Sequence, residues 1–141
     1  VSEEPIRYAT CLDDGRQIVS GALYQFTLLG HVVPAVRMTR RGKFTSKRAQ
    51  AYLAWQEAAR WQIREQMTAH GWTMIPEGVP FMVRALFTPY QHRSDLDNLV
   101  KGTMDAAQGV VFPNDSWCDE IHAARATGGP ERALLYVRWP M

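Results

Sequence analysis

The chain has 141 residues, with 16 Lys and Arg against 14 Asp and Glu and a formal net charge of +2. That length predicts one domain with a proper core and leaves little room for a two-lobed enzyme. Apolar residues at 46% and charged residues at 21% fit a soluble globular chain and argue against a disordered one, and no apolar run is long enough to span a membrane. Cys11 and Cys118 are too few for a disulfide framework and have no metal-like spacing partners. The first residues lack the apolar core of a signal peptide, so a reduced, cytoplasmic protein is the expectation.

Residues 1–22 combine charge, Pro5 and the turn-like Asp13-Asp14-Gly15, and read as an N-terminal extension with a short hairpin. Residues 23–141 form the main domain. From Leu23 to Leu29, Tyr24, Phe26 and Leu28 alternate with Gln25 and Thr27, the period of a half-buried strand. A basic loop with Pro34 and Gly42 runs from Gly30 to Thr45. The spacing then predicts a helix over Lys47–His70, with Tyr52, Trp55, Ala59, Ile63 and Met67 on its apolar face. Ser46 is its expected N-cap and Gly71 its stop. A second strand follows from Phe81 to Phe87, and Asp97 is expected to cap a second helix over Asn98–Ala107. Strands over Trp117–Ala126 and Ala133–Trp139, separated by Gly128-Gly129-Pro130, complete an α/β (α+β) fold: a mixed sheet of about four strands with two helices.

Charge is unevenly spread. Arg37, Arg40, Arg41, Lys43, Lys47 and Arg48 follow one another with no acid among them. Later, Asp95, Asp97, Asp105, Asp115, Asp119 and Glu120 face the single Lys101. A basic block alone reads most simply as a solvated loop; paired with an acidic block it points to a polyanion held beside metal ions. Within the block Phe44 is placed to stack on an unpaired base, and Arg93, beside the acidic motif, is a further phosphate contact.

In an extended segment Asp95 and Asp97 would point to one side, and Lys101 lies one helical turn past Asp97. Asp105 is a turn further, within reach of Lys101, and Asp115 joins the set only if the fold brings it back. Carboxylates so clustered repel unless neutralised, and Mg²⁺ takes such oxygen ligands together with waters and substrate phosphates. The plainer reading makes Asp97 a helix cap, Asp115 a turn residue and Asp105 a surface partner of Lys101. A sugar-nucleotide transferase also uses Asp-x-Asp, but the chain is short for one. His31, His70, His92 and His122 show no ligand spacing, and Cys118, with no partner histidine, reads as a small apolar residue. The tryptophans read as core and subunit surface, with Trp117 also a candidate for stacking on DNA.

Asp95-Leu96-Asp97-Asn98-Leu99-Val100-Lys101, then Asp105, then Gly109-Val110-Val111-Phe112-Pro113-Asn114-Asp115, resembles the hallmark of the RusA family of Holliday junction resolvases. Gly30-His31-Val32-Val33-Pro34-Ala35-Val36-Arg37 and Thr45-Ser46-Lys47 look like that family's first strand and loop, so the likeness covers about Leu23 to Trp139. The resemblance implies a dimeric, RusA-like fold, bacterial or phage-encoded, that nicks four-way DNA junctions symmetrically with Mg²⁺ or Mn²⁺. It implies Asp95, Asp97 and Asp115 as metal ligands, Lys101 as the catalytic lysine, and supporting roles for Asn98 and Asp105. The chain departs from the pattern at Asn114, where many members carry a second Asp, and in its N-terminal extension. The alternative is a branched-DNA-binding protein of this fold that has lost catalysis.

Overall fold

The computed structural model describes residues 6–10, 19–36, 46–89 and 95–140. Five strands form one sheet in the order β1-β2-β5-β3-β4: β1 (Ile6–Thr10), β2 (Val19–Leu29), β3 (Phe81–Thr88), β4 (Cys118–Arg125) and β5 (Arg132–Pro140). Two helices accompany them, α1 (Lys47–His70) and α2 (Leu96–Ala107). All neighbouring strands are antiparallel except β3 and β4, so the sheet is mixed and the fold α+β. It has one strand more than expected, because β2 starts at Val19 and pairs there with β1, Ile6 against Leu23 and Thr10 against Val19. The boundary drawn after residue 22 falls inside β2. Asp13-Asp14-Gly15 lies outside the described residues.

Alternation sorts each strand's side chains between two faces. Tyr24, Phe26 and Leu28 of β2, Phe81, Val83, Ala85 and Phe87 of β3, and Ala133, Leu135 and Val137 of β5 are all buried on one of them. The helices pack against that face, with Ile63 and Met67 of α1 and Leu99, Val100 and Met104 of α2 in the same apolar cluster. Both expected caps of α1 are present. Ser46 Oγ accepts from Ala49 N at 3.3 Å, and Gly71 takes φ 65°, which lets Trp72 N–H reach Met67 O at 2.9 Å. The Trp72 ring is then held between Tyr24 and His70, with ring centroids 4.7 and 4.2 Å away. Helix α1 also closes the part of the β2 edge that β1 leaves open. Gln66 accepts from Thr27 N at 2.9 Å and donates to Thr27 O at 2.8 Å, while Gln62 accepts from Leu29 N at 2.8 Å. An edge so satisfied offers no template to another strand.

Parallel neighbours cannot be joined by a tight turn; the chain must cross back between them. Helix α2 makes that crossing from β3 to β4, so it runs antiparallel to both. Its first residues lie toward the end of β3 and its last toward the start of β4. No helix among the described residues is long and apolar enough to cross a membrane.

Candidate active site

Helix α2 begins two residues earlier than expected, and this changes the acidic motif. Asp95, not Asp97, is the N-cap, with extended φ −66° and ψ 130°, and its carbonyl accepts from Leu99 N at 3.1 Å. Asp97 lies inside the first turn. Strand alternation therefore does not align the two carboxylates, since two helical positions differ by about 200°. What keeps both at one site is the helix start, whose free N–H groups and positive dipole end favour negative charge. Asp95 and Asp97 are exposed, and Asn98, half-buried, points its Nδ2 back to Asp95 Oδ2 at 3.5 Å.

The acidic helix start is tied to the chain just ahead of the basic segment. Ala35 N donates to Asn98 O at 3.0 Å, which fastens the chain just before Arg37 to the first turn of α2. The far end of the segment is fixed by Ser46 capping α1. Arg37, Arg40, Arg41, Lys43 and Phe44 lie outside the described residues, as do His92 and Arg93. Lys47 and Arg48 are exposed in the first turn of α1, which holds no acidic residue. Cations at a helix N-terminus oppose the dipole by about 0.3–1 kcal/mol each, so their placement serves the segment rather than the helix.

Further along α2, Lys101 is directed to Asp105, Nζ to Oδ1 3.5 Å. The other oxygen of Asp105 accepts from Tyr52 Oη at 2.9 Å. Tyr52 is buried on α1, and burial, reinforced by its hydrogen bond to the Asp105 carboxylate, pushes its phenol well above the ordinary range, so it remains a donor. Arg60 of α1 donates to Asp105 O at 2.8 Å and Ala106 O at 3.2 Å, satisfying carbonyls at the C-terminal end of α2. The helices can approach this closely because residue 102 is glycine: a Cβ there would stand 3.2 Å from Tyr52 Cε1 and 3.4 Å from Val33 O. Sequence reasoning missed Tyr52 and Arg60 as supports of the motif; their partners lie 53 and 45–46 residues away, beyond any local spacing.

Asp115 stands at the opposite end of α2. After Ala107 the chain turns through Gly109, whose N–H donates to Phe112 O at 2.8 Å. It then enters a short 3₁₀ helix, Asp115–Trp117, so Trp117 precedes the strand instead of starting it. Asn114 Oδ1 caps that turn by accepting from Ser116 N at 3.0 Å, a bond an aspartate oxygen would make equally well. Asp115 N donates to Gln108 Oε1 at 3.2 Å, and its exposed carboxylate lies just before the start of β4, two residues from exposed Trp117. Twelve helical residues rise about 18 Å, so one chain keeps Asp115 away from Asp95 and Asp97. Among the described residues no three of His, Cys, Asp and Glu are grouped to hold a metal ion.

The donor chemistry nevertheless suits a hard cation. Among the described residues the carboxylates of Asp97 and Asp115 have no ion-pair or hydrogen-bond partner. Mg²⁺ is commonly held by one or two carboxylates plus waters and substrate phosphate oxygens, and the start of α2 supplies two exposed carboxylates. Three of the described histidines are engaged elsewhere: His31 with Glu131 at 2.6 Å, His122 with Glu120 at 2.5 Å, and His70 stacked on Trp72. Cys118 is half-buried, and burial raises its thiol pKa, which disfavours the thiolate a nucleophile needs.

No curated protein matches the chain. The family model described as "Endodeoxyribonuclease RusA" matches residues 31–137, from the histidine before the basic segment to the last core residue of β5. The match takes in the carboxylate motif, the crossover helix and the turn to Asp115, and the chain belongs to the RusA endodeoxyribonuclease family.

Proposed function

We propose that the chain is a metal-dependent, structure-selective endodeoxyribonuclease that resolves four-way (Holliday) junctions by paired symmetric nicks, in recombination and repair, as a homodimer. The observation that carries the proposal is the Ala35–Asn98 hydrogen bond, which joins the start of the basic segment to the acidic start of α2. Phosphates gripped by Arg37, Arg40, Arg41, Lys43, Lys47, Arg48 and Arg93 would then run past Asp95 and Asp97. A four-way junction has two-fold symmetry, and a two-fold dimer offers one site to each of two opposed strands.

Asp95, Asp97 and Asp115 would hold the Mg²⁺ or Mn²⁺ ion. When bound, the metal supplies an activated water and neutralises charge on the phosphate. Because Asp115 lies at the far end of α2 from the other two, we assign the third carboxylate of each site to the second protomer. Two antiparallel α2 helices would set the start of one beside the end of the other. Lys101 would contact the phosphate and stabilise the charge that develops on it. Asp105, already engaged with Tyr52, would set the direction of Lys101 and leave the metal to the exposed carboxylates.

Cleavage of a labelled synthetic four-way junction with Mg²⁺ or Mn²⁺, beside the matching linear duplex and an Asp97→Asn control, tests the proposal. Paired nicks in the junction alone, absent from a control that still binds, are the expected result. Tight junction binding with no nicking under either metal would instead leave a branched-DNA-binding protein.

A further inference from the structure

Lys101 stands one helical turn after Asp97 and one before Asp105, so its ammonium can swing toward either carboxylate. In this structure it is turned to Asp105, away from the start of α2, with Nζ 3.5 Å from Oδ1. That separation is longer than the roughly 2.7–2.9 Å of a charge-assisted hydrogen bond. The Lys101 side chain is 63% exposed and that of Asp105 only 27%. The cation is held loosely by a carboxylate that is itself anchored.

The anchor comes from the other helix. Tyr52 Oη donates to Asp105 Oδ2 at 2.9 Å. The Tyr52 ring is buried, lies against Gly102 and stacks on Trp55 with 23° between the ring planes, so the hydroxyl is fixed in place. Arg60 separately holds the backbone at Asp105 O, at 2.8 Å, which leaves Tyr52 to govern the side chain. A carboxylate with both oxygens free can present either or both to an ammonium. With Oδ2 taken by Tyr52, Asp105 offers Lys101 one oxygen and a weakened negative charge.

We propose that Tyr52 is a positioning residue for Lys101: by occupying one oxygen of Asp105 it keeps the lysine directed along α2 yet free to leave for a phosphate. Without the phenol, Asp105 turns its second oxygen to Lys101 and retains it. Tyr52 follows Arg48 by one helical turn, so the turn of α1 assigned to phosphate binding leads directly into this restraint. The consequence for cleavage rests on the nuclease reading; the restraint on Lys101 does not.

Two readouts on the full chain separate them. The first needs no activity. The chain has three lysines, Lys43, Lys47 and Lys101, and competitive acetylation followed by mass spectrometry gives the reactivity of Lys101 relative to Lys47. Tyr52→Phe should lower that ratio about threefold, and an unchanged or higher ratio overturns the proposal. The second is cleavage of the four-way junction with enzyme in excess. Tyr52→Phe should slow the cut about tenfold, with junction affinity in EDTA within about twofold of the parent. In a Lys101→Ala background the same change should alter the residual rate by less than about twofold, because a residue acting through Lys101 has nothing left to position. Gln66→Ala loosens α1 at its other end and should keep the parent's ratio and rate. Equal slowing by Gln66→Ala, or a lowered ratio with an undiminished rate in Tyr52→Phe, also overturns the proposal. A parent chain that binds the junction and cuts nothing, while the ratio falls as expected, refutes the nuclease reading and upholds the restraint.

Discussion

Tyr52→Phe removes one oxygen and nothing else from the contact between α1 and α2. The ring, 2% exposed, keeps its packing, so the change reads the hydrogen bond from Tyr52 Oη to Asp105 Oδ2 at 2.9 Å with little cavity contribution. A hydrogen bond to a charged acceptor contributes about 1.5–3 kcal/mol. The Asp105 side chain is 27% exposed, so water recovers part of that. Lys101, 63% exposed at 3.5 Å, compensates little, because such surface pairs are worth about 0–1 kcal/mol. The expected loss is about 1.5–2 kcal/mol by urea unfolding at pH 7, followed through tryptophan fluorescence. In a double-mutant cycle with Asp105→Asn the two changes should couple by about 1 kcal/mol. The phenol adds a pH signature. Its folded pKa lies above the ordinary value of 10.0, so its contribution is fully present below pH 10 and is lost as pH rises from there toward the folded value. The parent chain should lose stability there at about 1.4 kcal/mol per pH unit for each such tyrosine. Tyr24 is also raised by burial, so Tyr52→Phe should lessen the alkaline slope and not abolish it. A loss under about 0.5 kcal/mol, additive with Asp105→Asn, would refute the reasoning.

Gly102→Leu should cost about 1–3 kcal/mol in a thermal melt, because its Cβ would meet Tyr52 at 3.2 Å and the rest of the side chain has nowhere to go without parting α1 from α2. Gln66→Ala leaves Thr27 N and O without their partners on the β2 edge; a loss of about 1–2 kcal/mol in urea is expected, with greater light scattering on standing. Mixing the proposed dimer's Asp97→Asn and Asp115→Asn forms, each inactive alone, should restore nicking of the four-way junction. A mixed dimer has one intact site built from both chains, so the mixture should regain about a quarter of the parent's sites and make single rather than paired nicks. Full inactivity of the mixture, with subunit exchange verified, would refute a site shared between protomers.

What the sequence made legible is what neighbouring residues decide among themselves. Ser46 and Gly71 bound α1 as expected because a cap is a matter of one side chain, or one backbone angle, within a turn of the helix. Phe81, Val83, Ala85 and Phe87 share the core face of β3 because alternation is a local property of extended backbone. The start of α2 was less legible, since Asp95 and Asp97 are both good N-caps and the choice turns on where the preceding chain is fastened. Here Ala35, 63 residues before its partner Asn98, holds that first turn. Nothing in local spacing marks that bond or the Tyr52–Asp105 bond, whereas the antiparallel pairing of Ile6–Thr10 with β2 is a hairpin that the turn-like Asp13-Asp14-Gly15 signalled.

The same division explains the acidic motif. Read along the chain, Asp95, Asp97, Lys101, Asp105 and Asp115 look like parts of one cluster. Folded, the first four are strung along a helix and Asp115 lies in the turn beyond its far end, and the helix's direction is dictated by the strands it connects, since parallel β3 and β4 require the chain to return between them. The crossover spends its length separating the first carboxylates from the last. A two-fold partner laid antiparallel along α2 would reverse that separation, setting Asp115 of one copy beside Asp97 of the other at both ends of the helix pair at once. Dimerisation would then be a condition for assembling each metal site as well as a match to the symmetry of the junction, and a monomer would bind DNA through its basic segment without cutting it.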